Sequence, residues 1–114
     1  MPTWELPSTT DQPSITITRW TVVRLVEIDG NLEADLLYGW DPQNGCGRLS
    51  TKIVESDPTN QTVVTMSGRR YTLAGPPGHD PDGEHVFLSK FGSVLKLCHL
   101  SIVSEQYARP AMAE

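Results

Sequence analysis

The sequence predicts a β-rich α+β domain. A curved antiparallel sheet of five to six strands, or a partly open small barrel, carries one short helix against it. Three observations lead there. Runs of β-branched and aromatic residues alternate at period two through the first two thirds of the chain. Turn residues punctuate them, with nine glycines and nine prolines in 114 residues. One stretch, 81–91, combines a helix start signal with helical apolar spacing.

Ile15 to Ile28 is the first predicted strand. Trp20, Val22, Val26 and Ile28 share one face, and Val23 and Leu25 the other. Apolar residues on both faces predict a central strand covered on both sides. Arg24 then lies among the first set and needs a carboxylate or backbone partner if buried. Asp29-Gly30-Asn31 is a hairpin turn signal. In the return strand, Leu32, Ala34, Leu36, Tyr38 and Trp40 alternate with Glu33, Asp35 and Gly39, which predicts one buried face and one wet acidic face.

A loop from Asp41 to Gly47 leads to a third strand, 48–55. Asp57 to Asn60 turns the chain into a fourth, 62–66, and Ser67-Gly68 into a fifth, 70–74. Short turns between successive strands predict an antiparallel meander. Gly75-Pro76-Pro77-Gly78 then forms a stiff corner. Asp80 reads as a helix N-cap, with Pro81 in the first helical position. Asp82 and Glu84 suit the positive end of the helix dipole. Phe87, Leu88 and Phe91 make the packing stripe, and Gly92 the stop. Val94 to Val103 reads as a last strand that inserts into the sheet or closes a barrel. The expected core is Trp20, Val22, Val26, Ile28, Leu36, Tyr38, Trp40, Ile53, Val63, Leu73, Phe87, Phe91, Cys98 and Leu100. The length fits a single domain over 14–104, between a disordered N-terminal tail, 1–13, and a loose C-terminal tail, 105–114. Trp4 and Leu6 are the tail's candidates for docking.

Composition narrows the function classes. The net charge of -5 opposes long-range attraction to nucleic acid. The first residues make no signal peptide, and no window is apolar enough for a membrane span. Two cysteines, Cys46 and Cys98, without a framework of others, read as free thiols. A cytoplasmic protein without membrane association is expected. Cys46, Cys98, His79, His85 and His99 show no zinc-site spacing. Asp80-Pro-Asp82-Gly83-Glu84 resembles a calcium loop only in part, because position 89 is Ser89 where glutamate is needed. Neither a metal nor a cofactor is expected. Phosphate-loop, dinucleotide and serine-elbow motifs are absent from the sequence.

The remaining chemistry gathers around 69–79. Arg69, Arg70, Tyr71, Pro76, Pro77 and His79 form the expected partner-binding set: a basic-aromatic tip beside a rigid corner. The first functional expectation is a non-catalytic protein-binding or regulatory module, in its narrower form an inhibitor of a nucleic-acid-processing machine. The second is a small barrel that binds nucleic acid through Arg48, Lys52, Arg69, Arg70 and Tyr71. The third is a small enzyme using Cys46 or His/Asp groups. Edges of the opening hairpin also offer a route to a homodimer.

The run from Asp57 to Gly78 resembles a family of short uncharacterised bacterial proteins sharing V-x-T-x-S-G-R-x-Y-x-L-x-G-P-P-G. The matching residues are Val63, Thr65, Ser67, Gly68, Arg69, Tyr71, Leu73 and Gly75 to Gly78. The resemblance covers about a fifth of the chain. It implies a compact β-rich fold and a bacterial, cytoplasmic setting, often on mobile elements, and brings no function with it.

Overall fold

The computed structural model describes residues 13–30 and 32–109. Seven strands and one α-helix occur among them. β1 (Ser14–Glu27) is the longest, followed by β2 (Glu33–Asp41), β3 (Cys46–Leu49), β4 (Ile53–Asp57), β5 (Thr62–Thr65) and β6 (Arg70–Leu73). The helix α1 (Pro81–Phe91) leads through a 3-10 helix, Gly92–Leu97, into β7 (Cys98–Ile102). The expected class holds: a β-rich, curved, open sheet with one helical segment packed on it.

The sheet runs β3-β2-β1-β6-β5-β4, and β7 also pairs with β1. β1 organises it by serving two neighbourhoods in succession. Its first half, Ser14 to Ile17, lies parallel to Arg70–Leu73 of β6. Its second half lies antiparallel to β2 on one side and to β7 on the other. The sheet is therefore mixed, and the expected single meander becomes two, β1-β2-β3 and β4-β5-β6, joined by a parallel pair.

The change of direction sits at Arg19. This residue has a φ of 47°, and the register with β2 shifts between Thr18 and Thr21. An extra residue in one strand reverses the facing of everything beyond it. Ile15 and Ile17 therefore share a core with Trp20 and Val22, although their numbers have opposite parity. That core also holds Leu37, Val63, Tyr71 and Leu73. A second core under α1 joins Val23, Leu25, Leu36, Tyr38 and Phe87. Both faces of β1 are thus covered, as the sequence predicts.

The predicted third strand, 48–55, divides at Ser50. The Ser50 hydroxyl accepts from Leu37 N at 3.0 Å while its own N–H donates to the Leu37 carbonyl at 2.8 Å. Held there, the chain leaves β2 and crosses to pair β4 with β5. The predicted last strand, 94–103, is only half strand. Gly92 stays in right-handed helical geometry, and the helix tightens into the 3-10 segment instead of stopping.

The helix itself matches its expected bounds. Asp80 accepts from Gly83 N at 2.8 Å as the N-cap. Its first turn lies flat on the sheet because glycines meet there. A Cβ on Gly83 would stand 2.7 Å from Gly39 N, and one on Gly47 would run into the backbone of Asp82 and Gly83.

Several expected core members sit elsewhere. Ile28 is 59% exposed and Leu100 44%, while Val26, Trp40, Phe91 and Cys98 are half-buried. The expected wet acidic face of β2 is corrected at Asp35, which is buried and paired with Arg24 at 2.8 Å. The segment expected to be a loose tail is docked as far as Arg109. Tyr107 donates its hydroxyl to Asp35, and Arg109 donates to the Thr59 carbonyl at 2.9 Å. Trp4 and Leu6 lie outside the described residues.

Candidate functional site

The residues singled out around 69–79 separate in the structure. Tyr71 is 3% exposed and belongs to the first core, opposite Ile15 and Val63. Arg69 is buried as well. Arg70 and Pro76 are exposed and Pro77 is half-buried. His79 lies at the surface, 3.2 Å from a Glu84 carboxylate oxygen, with its ring edge-on to Tyr38.

The run from Val63 to Gly78 is explained by packing. Val63, Thr65, Tyr71 and Leu73 all point inward. Gly68 and Gly75 have φ values of 89° and 73°, which a side chain would strain. The Gly75 carbonyl accepts from Trp20 Nε1 at 3.1 Å and from Gln61 Nε2 at 2.9 Å. This segment closes the core around Trp20.

The five groups of the nucleic-acid expectation do not share a surface. Arg48 is 2% exposed and pairs with the fully buried Asp41 through Nε at 2.9 Å. Asp41 also accepts from Gln43 N and Asn44 N, so this buried pair pins the β2–β3 loop. With Arg69 and Tyr71 inside, Lys52 and Arg70 are the members left at the surface. Cys46 is half-buried beside this pair. Burial and the Asp41 charge push its thiol pKa up against the lowering effect of Arg48, which disfavours the nucleophilic thiolate. Both cysteines are free thiols. Among the described residues no three His, Cys, Asp or Glu side chains gather where a metal ion would fit, and no helix is long and apolar enough to cross a membrane.

The prominent concavity lies elsewhere, at the β1–β2 hairpin. Its volume is about 630 Å³. Cross-strand register builds its floor. Leu25 faces Ala34 on β2, and Glu27 faces Cys98 on β7, all on the side of the sheet that α1 covers. The helix ends at Phe91, short of the hairpin tip, and the 3-10 segment brings Val94 and Leu97 over the gap as a wall. Ile28 and Leu32 complete the lining at the hairpin end, where they stay 59% and 65% exposed.

The lip of this pocket is acidic. Glu27, Asp29 and Glu33 stand around it. Desolvation first, and then a hydrogen bond and like charge from Asp29, raise the Glu27 carboxyl above its ordinary pKa. Glu33 has Arg24 Nε at 3.3 Å on its far side and remains 58% exposed. A smaller cleft of about 250 Å³ lies between Thr21, Tyr38, Pro77, His79 and Glu105. Sequence reasoning missed the larger pocket because its walls come from four separate segments. The one local sign was an apolar surplus at Ile28, Leu32 and Leu97.

Neither a protein-family model, a curated protein nor a solved structure matches this chain. The site is therefore argued from its geometry.

Proposed function

We propose that this protein is a non-catalytic module that binds another protein, and that it does so through the apolar pocket at the hairpin end. The observation that carries this reading is the pocket with its surroundings. A cavity of about 630 Å³ opens among exposed Ile28, Leu32 and Leu97. Apolar surface left open beside a concavity marks interaction sites. The chemistry around it favours binding over catalysis. The lining is apolar apart from three carboxylates and a thiol, and Arg24, the cation beside Glu33, is already held by Asp35. In the narrower form, the partner is a basic, nucleic-acid-processing protein whose charge complements the acidic lip.

The test is affinity capture from a bacterial lysate, the setting that the family resemblance implies, with and without nuclease. Wild-type protein is compared with Leu32→Asp, a substitution at an exposed position. The expected result is a stoichiometric protein that survives nuclease and disappears with the variant. Material lost on nuclease treatment alone would transfer the reading to nucleic acid, and a partner indifferent to Leu32→Asp would remove the pocket from it.

A further inference from the structure

We infer that the pocket's occupant is a basic peptide segment of the partner: one large apolar side chain inserted between Leu25 and Leu97, with lysine or arginine beside it against Glu27, Asp29 and Glu33. This rests on the protein-binding reading and names the partner's chemistry.

The interior comes first. The floor residues Leu25, Ala34 and Cys98 and the walls Phe91, Val94 and Leu97 offer almost no hydrogen-bonding groups. Such a cavity selects by apolar burial, and its volume lies in the range of small-ligand pockets, with ample room for one bulky side chain. The size of the open surface separates these two occupants. The lining runs from Leu25 out to Ile28 and Leu32 at the hairpin end, which stay 59% and 65% exposed. A small molecule seated at the Leu25 end would leave that shelf wet. A peptide that drops one side chain in and lies across the lip covers it.

The lip sets the charge of that peptide. Three carboxylates surround the mouth, and Arg24 touches one of them, Glu33, at 3.3 Å. Asp29 acts on the Glu27 carboxyl as a like charge, and the two repel. A cation from the occupant relieves that repulsion and an anion adds to it. The chain as a whole is also negative, at -5, which steers basic partners inward and acidic ones away. The anchor and the cation must be neighbours in the partner, because the lip directly borders the apolar floor: Glu27 is two residues from Leu25 on the same face of β1.

Two synthetic peptides of equal length provide the probes, each with leucines and one tryptophan, one carrying lysines and the other glutamates. Binding is read by fluorescence anisotropy at physiological ionic strength. The lysine peptide is expected to bind and the glutamate peptide not to. Neutralising the lip in Glu27→Gln/Asp29→Asn should weaken binding about three- to ten-fold, the scale of two exposed charge contacts. Leu32→Asp should weaken it about ten-fold or more through lost apolar contact, although it adds a negative charge. That opposition is the decisive arm. Binding of the lysine peptide that strengthens or stays unchanged in Leu32→Asp would mean general attraction to an acidic protein and would overturn the inference. So would equal binding of both peptides, or binding of neither. A captured partner lost in Leu32→Asp but indifferent to the lip variant would sink the charge inference alone. Urea midpoints of both variants, expected near wild type because the substituted positions are surface groups, show that the fold is intact.

Discussion

Asp80 and Arg19 join the helix to the bend of the longest strand. One Asp80 oxygen, Oδ1, accepts from Arg19 Nε at 3.1 Å and Nη2 at 2.8 Å. The other, Oδ2, caps α1 through Gly83 N. Asp80 is buried, while the Arg19 side chain is 54% exposed and also lies over the Trp40 ring at 5.5 Å. The same carboxylate thus ties the start of α1 to the bulge that splits β1 between its two neighbourhoods.

Removing either partner should have unequal effects. Asp80→Ala loses the cap and should cost about 1–2 kcal/mol. Arg19→Ala should cost about 1 kcal/mol or less, since an exposed partner is screened by water. Arg19→Gly loses the same contacts but relieves the positive φ, worth about 1 kcal/mol, and should sit near wild type. Urea unfolding midpoints of the three variants check this order.

Two glycines should respond in opposite directions to alanine. At Gly83 a Cβ would press on the Gly39 backbone, which cannot yield as a flexible side chain would. Overpacking of this kind costs about 1–3 kcal/mol. At Gly92 nothing lies within 4 Å of the added atom and the φ of -52° is helical, so alanine should stabilise by about 0.5–1 kcal/mol. Thermal unfolding of Gly83→Ala and Gly92→Ala provides the measurement.

Asp35 should govern part of the acid sensitivity. Burial alone would raise its pKa, but hydrogen bonds from Arg24 and Tyr107 outweigh burial and hold it below the ordinary value. The folded form therefore prefers the carboxylate more than the unfolded chain does. Its contribution is present above the ordinary aspartate pKa and fades as pH falls through the depressed one. The stability gap between wild type and Asp35→Asn should be widest near neutrality and close in acid. A gap independent of pH would remove Asp35 from the acid response.

Arg70 and Tyr71, adjacent in sequence, should differ sharply. Tyr71→Ala empties a core position and should cost about 3–5 kcal/mol. Arg70→Ala removes an exposed side chain and should change stability by less than about 0.5 kcal/mol. The pair is compared by chemical denaturation.

Local signals were legible where the physics is local. Asp80-Pro81 announced α1, and Asp29-Gly30 announced the first hairpin, because caps and turns depend on a few consecutive residues. Arg24 was seen to need a carboxylate or backbone partner if buried, and its cross-strand neighbour Asp35 provides the carboxylate. Tyr71 was misjudged because two arginines beside it suggested surface, whereas strand alternation turns its ring inward. The break at Ser50 was hidden because its partner is the Leu37 backbone, thirteen residues away. The pocket at the hairpin end was hidden for the same reason, since Leu25, Leu32, Phe91 and Leu97 meet only after β7 pairs with β1.

The sequence by itself determined the β-rich class, the helix at 81–91, the turns, and the central place of β1 with apolar residues on both faces. These follow from periodicity, capping and turn chemistry within a few residues of each position. Only the tertiary structure decided that β6 runs parallel to β1, that Arg19 forms the bulge, and that an acid-rimmed cavity opens past the end of α1. Those outcomes depend on which distant segments bury each other's apolar surface, and that choice is made by packing across the whole chain.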